Sequence, residues 1–167
     1  MLKMIAVVYR NGGMGMKKTI PFQYNGMDKI KDYFDKYTIG RGNNSIIIGK
    51  NTEQQLPTLP KRQPFILSKT LNNKNTFETL AEAKKKGETY DEMWIVGGEK
   101  TFNSCIYDQA LKHILITEID KDIMSNCFFP EIPLCFKLAA ESRHTNNYFT
   151  YKQKIYMRND DKYFTNL

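Results

Sequence analysis

Apolar, β-branched runs recur along the chain at Ile5–Val8, Ile46–Ile48, Phe65–Leu67, Met93–Val96 and Ile114–Ile116, and each predicts a buried strand. Between them the period changes. From Asp28 to Tyr37 the residues Ile30, Tyr33, Phe34 and Tyr37 recur at three- and four-residue spacing, the apolar stripe of a helix. Phe77–Ala83 and Thr101–Ala110 predict two further helices. Strands alternating with helices predict an α/β fold: a single domain with a central, mostly parallel sheet and helices on both faces. The stretch Tyr148–Tyr156 has period-two character and no helix after it, so it is expected to return as an antiparallel C-terminal strand at the sheet edge. The expected domain spans residues 1–158, without internal repeats or a Pro/Gly/Ser-rich linker. Residues 159–167 read as a polar tail or a linker to something further.

Composition narrows the class. With 41% hydrophobic and 26% charged residues in 167, the chain reads as one soluble globular domain with a core of its own. Ile5–Val8 is too short for a signal-peptide core, and no apolar run is long enough to span a membrane, so the expected location is cytoplasmic. The three cysteines cannot all pair and none has metal-ligand spacing, which fits a reduced compartment and no metal. A net charge of +7 favours anionic partners. The basic residues are spread out, however, and the one run, Lys84–Lys86, falls in a predicted helix. Without aromatic–basic interleaving, nucleic acid ranks below a small anionic ligand.

In a parallel sheet, ligands bind beyond the carboxyl ends of the strands. Gly97–Gly98 stands at such an end, before a predicted helix; it suits close approach of a pyrophosphate, and equally a plain reversing turn. The strand Ile46–Ile48 ends in Gly49, then Lys50, Asn51 and Thr52, where Asn51 or Thr52 would cap a helix. Phe65–Leu67 ends in Ser68–Lys69, again a hydroxyl and a cation. Together these strand ends suit a nucleotide carrying several phosphates better than any of them does alone. After the first strand, Gly12-Gly13-Met14-Gly15 suggests either a loop that closes over a site or a flexible turn.

Set in order, IAVVYRNGGMGMKKTIPF, IIIGKNT, LPKRQPFILSK, MWIVGGEKTF, ILITEID, NCFFPEI and YKQKIYMRND resemble the segments of the dihydrofolate reductase family, from about Met4 to Asp160. The resemblance implies reduction of 7,8-dihydrofolate to tetrahydrofolate with NADPH as cofactor. It implies that Gly97, Gly98 and the helix start Glu99, Lys100, Thr101 and Phe102 hold the diphosphate. Lys50, Ser68 and Lys69 would surround the adenosine 2′-phosphate, Asn51 and Thr52 would assist at their helix N-terminus, Gly49 and Leu67 would also touch the cofactor, and backbone groups of Ala6, Gly15, Lys18 and Ile20 would line the nicotinamide and ribose. On the substrate side it implies Phe34 against the pterin and benzoyl rings, with Ile5, Val7, Leu59 and Val96 around them. Arg62 would grip the tail α-carboxylate, and Thr117 would support a substrate-orienting acid behind the pterin.

That acid has no obvious owner. Family members place Asp or Glu one helical turn before the phenylalanine, and counting back from Phe34 lands on Ile30. Counting forward from Pro21–Phe22 lands on Asp28, the expected catalytic acid, whose competing role is the helix N-cap. Two functions of different class therefore stand side by side: a dihydrofolate reductase, and a catalytically weakened or silent folate- and NADPH-binding domain. The expected state is a monomer, or one domain of a fusion with thymidylate synthase.

Overall fold

The computed structural model describes residues 1–17 and 21–159. Strand β1 (Leu2–Tyr9) pairs in parallel with β5 (Met93–Gly97) on one side and β6 (Leu111–Ile119) on the other. Its nearly unbroken apolar run follows from that position, because a central parallel strand is covered on both faces. Successive side chains point to opposite faces, so β1 feeds two cores. Met4, Ala6 and Val8 pack with Ala83 of α3 (Leu80–Gly87) and with Phe102 and Cys105 of α4 (Glu99–Cys105). On the other face Ile5 packs with Phe34 of α1 (Asp28–Ile39), and Val7 and Tyr9 pack with Met27 and Ile30.

Outward from β5 run β2 (Asn44–Gly49), β3 (Arg62–Leu67) and the short β4 (Thr76–Phe77), all parallel. Beyond β6 lie β8 (Thr150–Arg158) and β7 (Phe136–Thr145), each antiparallel to its neighbours. The order is β4-β3-β2-β5-β1-β6-β8-β7, a mostly parallel sheet with helices on both faces, as expected. A single helical turn, α2 (Lys50–Glu53), follows β2.

Some expectations need correction. The closing strand β8 is antiparallel but internal, because β7 pairs with its outer side and forms the edge. The second helix begins at Leu80 rather than at Phe77, which belongs to β4. The third starts at Glu99 and ends at Cys105.

α1 buries Ile30, Phe34 and Thr38, spaced one turn apart, and ends at Gly40, whose φ of 55° accommodates the reversal. α3 opens on a capping box: Thr79 Oγ1 accepts from Glu82 N at 3.2 Å, and Glu82 Oε2 accepts from Thr79 N at 3.2 Å. Thr79→Ala is expected to lower stability by about 1 kcal/mol in chemical denaturation, with an unchanged m-value. No helix among the described residues is long and apolar enough to cross a membrane.

Candidate active site

The carboxyl ends of β1, β2, β3 and β5 lie along the same side of the sheet because these strands are parallel. There the turn Gly97–Gly98, joined by a cis peptide, leads into α4 with Gly98 as N-cap and no side-chain cap. α2 begins likewise after Gly49, again without a side-chain cap; the expected capping by Asn51 or Thr52 does not occur, since both lie inside the turn. The two starts nest closely. A Cβ on Gly49 would lie 2.6 Å from Thr101 Oγ1, and one on Gly98 would lie 2.8 Å from Thr52 Oγ1. Only glycine permits this approach, and it leaves first-turn N–H groups uncapped by side chains. Thr101 and Phe102 are buried, Glu99 is half-buried, and Lys100 and Asn51 are exposed.

Beside this turn, past half-buried Leu67, Ser68 Oγ accepts from Thr70 N at 3.2 Å and Leu71 N at 3.1 Å. Lys50 Nζ donates to Thr70 Oγ1 at 3.2 Å, which brings the ends of β2 and β3 into one cationic, hydroxyl-rich patch. Lys69 is exposed next to it. Gly15, at φ 91°, donates its N–H to Ser125 Oγ at 3.0 Å and accepts from Asn126 N and Cys127 N at 3.1 and 3.2 Å. The glycine-rich segment is thus fastened to the chain after β6 as far as Gly15. Lys18 and Ile20 lie outside the described residues.

The other wall is apolar. Ile5 and Phe34 share a cluster with partly buried Leu59 and Val96, and Phe22 lies 5.2 Å from Phe34 between ring centroids. Val7 belongs to the adjoining cluster. Thr117, 2% exposed, is paired with Val7 on β1 and Gln153 on β8, and shares the face of β6 that carries Leu115 and Ile119 toward α1.

Arg62 opens β3 with its side chain 1% exposed. Its Nε donates to Pro60 O at 3.1 Å, and one terminal nitrogen donates to Asp35 Oδ1 and Thr38 Oγ1, both at 2.8 Å. Thr38 Oγ1 in turn donates a hydrogen bond to Phe34 O at 2.8 Å, and the guanidinium lies 5.9 Å from the Phe34 ring centroid. Asp35 Oδ2 accepts from Lys31 Nζ at 2.5 Å. Burial alone would raise the Asp35 pKa, but the hydrogen bonds from Lys31 and Arg62 outweigh it and hold the carboxyl below its ordinary value.

Asp28 is exposed at the first residue of α1, with Met27 as N-cap and no side-chain cap bond, so the N-cap role expected of Asp28 is not the one it takes. The residues that point into the core here are Met27 and Ile30, each 1% exposed.

A family model described as dihydrofolate reductase matches residues 1–158. The chain belongs to the dihydrofolate reductase family. A dihydrofolate reductase of Aedes albopictus is 27% identical over 177 aligned positions, which cover 92% of this chain and 95% of its own length. One from Drosophila melanogaster is 25% identical over 154, covering 82% and 83%. In fold, the chain is similar to a dihydrofolate reductase from Enterococcus faecalis complexed with NADP(H) and RAB-propyl, at a TM-score of 0.81 and 22% identity, covering 96% of this chain and 97% of that one.

Three residues that the structure brings against these positions are not apparent from the sequence. Thr70 follows Ser68–Lys69 closely enough to have been included with them. Asp35 and Thr38 reach Arg62 across 27 and 24 residues of chain, a pairing with no local signature.

Proposed function

We infer that this chain is an NADPH-dependent dihydrofolate reductase that transfers hydride to C6 of 7,8-dihydrofolate as a proton is added at N5, yielding tetrahydrofolate and NADP⁺. The observation that carries the reading is the joining of the carboxyl edge of the sheet to the face beneath α1, which leads back to the start of β3. A paired-glycine turn between two uncapped helix starts meets an aromatic-lined apolar wall that ends in a buried arginine. NADPH supplies the hydride when bound.

Gly97, Gly98 and the first turn of α4 suit its diphosphate, because close backbone approach and uncapped N–H groups favour an anion. Lys50, Ser68, Lys69 and Thr70 suit the 2′-phosphate, with Gly49, Asn51, Thr52 and Leu67 framing the patch. Main-chain groups of Ala6 and Gly15 take the nicotinamide side. Phe34, Ile5, Val7, Leu59 and Val96 hold the pterin and benzoyl rings away from water, with Thr117 behind them. Arg62 stands at the end of this wall, at the position that faces the tail carboxylate.

The proton at N5 comes from water. Neither Ile30 nor Met27 has one to give, and Asp28 faces solvent. Asp28→Asn is therefore expected to leave turnover within about twofold of the parent, as for an ordinary surface substitution. A loss of turnover in that variant with binding intact would instead make Asp28 the acid.

The direct test is to follow NADPH absorbance with dihydrofolate added. Steady loss of absorbance with formation of tetrahydrofolate is the expected result. Saturable binding of both ligands without turnover would replace this reading with that of a silent binding domain.

A further inference from the structure

Arg62 is already occupied. Its buried terminal nitrogen spends its two protons on Asp35 and Thr38, and Nε is spent on Pro60 O, so three of five donors face protein acceptors. The strong, bidentate grip on an incoming carboxylate uses two parallel N–H bonds from one edge of the guanidinium, and the remaining nitrogen alone offers only a weaker contact. Every such edge includes Nε or the nitrogen that holds Asp35. Pro60 O is main chain fixed beside β3, and Thr38 is fully buried and tied to Phe34 O, so neither yields readily. Asp35 can yield. Its side chain is 24% exposed, and its second oxygen already rests on Lys31, which can retain the charge once Arg62 lets go.

We propose that Asp35 is an internal carboxylate seated on Arg62 in place of the substrate's tail carboxylate, so that this chain gains little from the tail and accepts reduced pterins with and without it nearly alike. The inference rests on the dihydrofolate reductase reading and narrows its substrate class. Displacement exchanges one charge-assisted bond for another, and the net gain is small for that reason. Once displaced, Asp35 still stands beside the arriving anion and opposes it, because two carboxylates share the field of Arg62 and Lys31. An Asp35 that merely steadied Arg62 for the substrate would have the opposite effect, since its removal would weaken the hold on the tail.

The test compares 7,8-dihydrofolate with a 7,8-dihydropterin bearing only a methyl group at C6. Binding is read by quenching of Trp94, the single tryptophan, which packs in the cluster of Ile5 and Phe34. In the parent, the two affinities are expected to lie within about tenfold, or 1.4 kcal/mol. Asp35→Asn, close in shape but uncharged, is expected to tighten dihydrofolate by about tenfold and leave the tail-less pterin unchanged, since a neutral acceptor holds arginine about half as strongly. In an Arg62→Leu background the same substitution is expected to change neither affinity. Thermal melting confirms that each variant is folded, and Asp35→Ser serves as a second variant with the same expectation.

An unchanged or reduced preference for the tail in folded Asp35→Asn and Asp35→Ser overturns the inference while leaving the reductase reading in place. A parent chain that binds neither pterin overturns both.

Discussion

Ile30→Asp is expected to raise the rate of hydride transfer to dihydrofolate at neutral pH by about one to two orders of magnitude, toward the range that a positioned general acid contributes. Ile30 lies one turn before Phe34 on the buried stripe of α1, packed among Val7, Tyr9, Met27 and Ile119, with Thr117 on the facing strand surface. Without a protonatable group there, the parent relies on solvent protons, and its single-turnover rate should fall about tenfold per pH unit with no inflection from a protein carboxyl. An aspartate at this depth is desolvated, so its pKa rises above the ordinary value of about 3.9 and part of it stays protonated toward neutrality. The variant's rate should therefore plateau below that raised pKa. Stability moves the other way. A carboxyl whose pKa is raised by folding imposes no penalty below its unfolded pKa and an increasing one as pH climbs through the folded value. On top of the pH-independent cost of lost apolar burial at position 30, this makes the variant melt below the parent even at about pH 4 and progressively lower above it. Stopped-flow single turnovers and melts across that range measure both effects. A folded variant with unchanged rate and no plateau would mean that position 30 does not face the reacting ring.

The difference between legible and illegible parts follows from how local their causes are. β1, β2 and β5 are central parallel strands, so burial on both faces leaves unbroken apolar runs that can be read directly. α1 shows its stripe because one face meets the sheet. β7 shows nothing of the kind. Only Phe136 is buried and the other positions are exposed, many of them polar, as suits an edge that must not pair further, and so β8 looked like the edge instead. At the site, the glycine turns were legible because their residues are adjacent in the chain. The occupant of Arg62 was not, because the pairing joins the second half of α1 to the start of β3. Asp28 was the carboxylate nearest the count from Pro21–Phe22, but helix phase exposes it and turns Ile30 inward.

Gly97→Ala is expected to abolish useful NADPH binding and to lower the melting temperature, whereas Gly98→Ala should be largely repairable. Gly97 sits at φ 120°, a region almost closed to residues with a Cβ, and holding alanine there costs about 1–3 kcal/mol. Its Cβ would also press on the Phe102 ring at 3.3 Å, so relief of the strain by shifting the turn would disturb the first turn of α4. For a domain of this size the strain corresponds to a fall of roughly 2–12 °C. At Gly98 the obstacle is a single side-chain atom, Thr52 Oγ1 at 2.8 Å. Trimming it in Gly98→Ala/Thr52→Ala removes that contact and should return the melting temperature to within a few degrees of Thr52→Ala alone, at about 2–4 °C per kcal/mol. No neighbouring truncation can restore Gly97→Ala, because its strain resides in the backbone. NADPH fluorescence titration and thermal melts on these variants separate the two causes. Equal rescue at both positions would show that crowding, not backbone conformation, is what demands glycine at the end of β5.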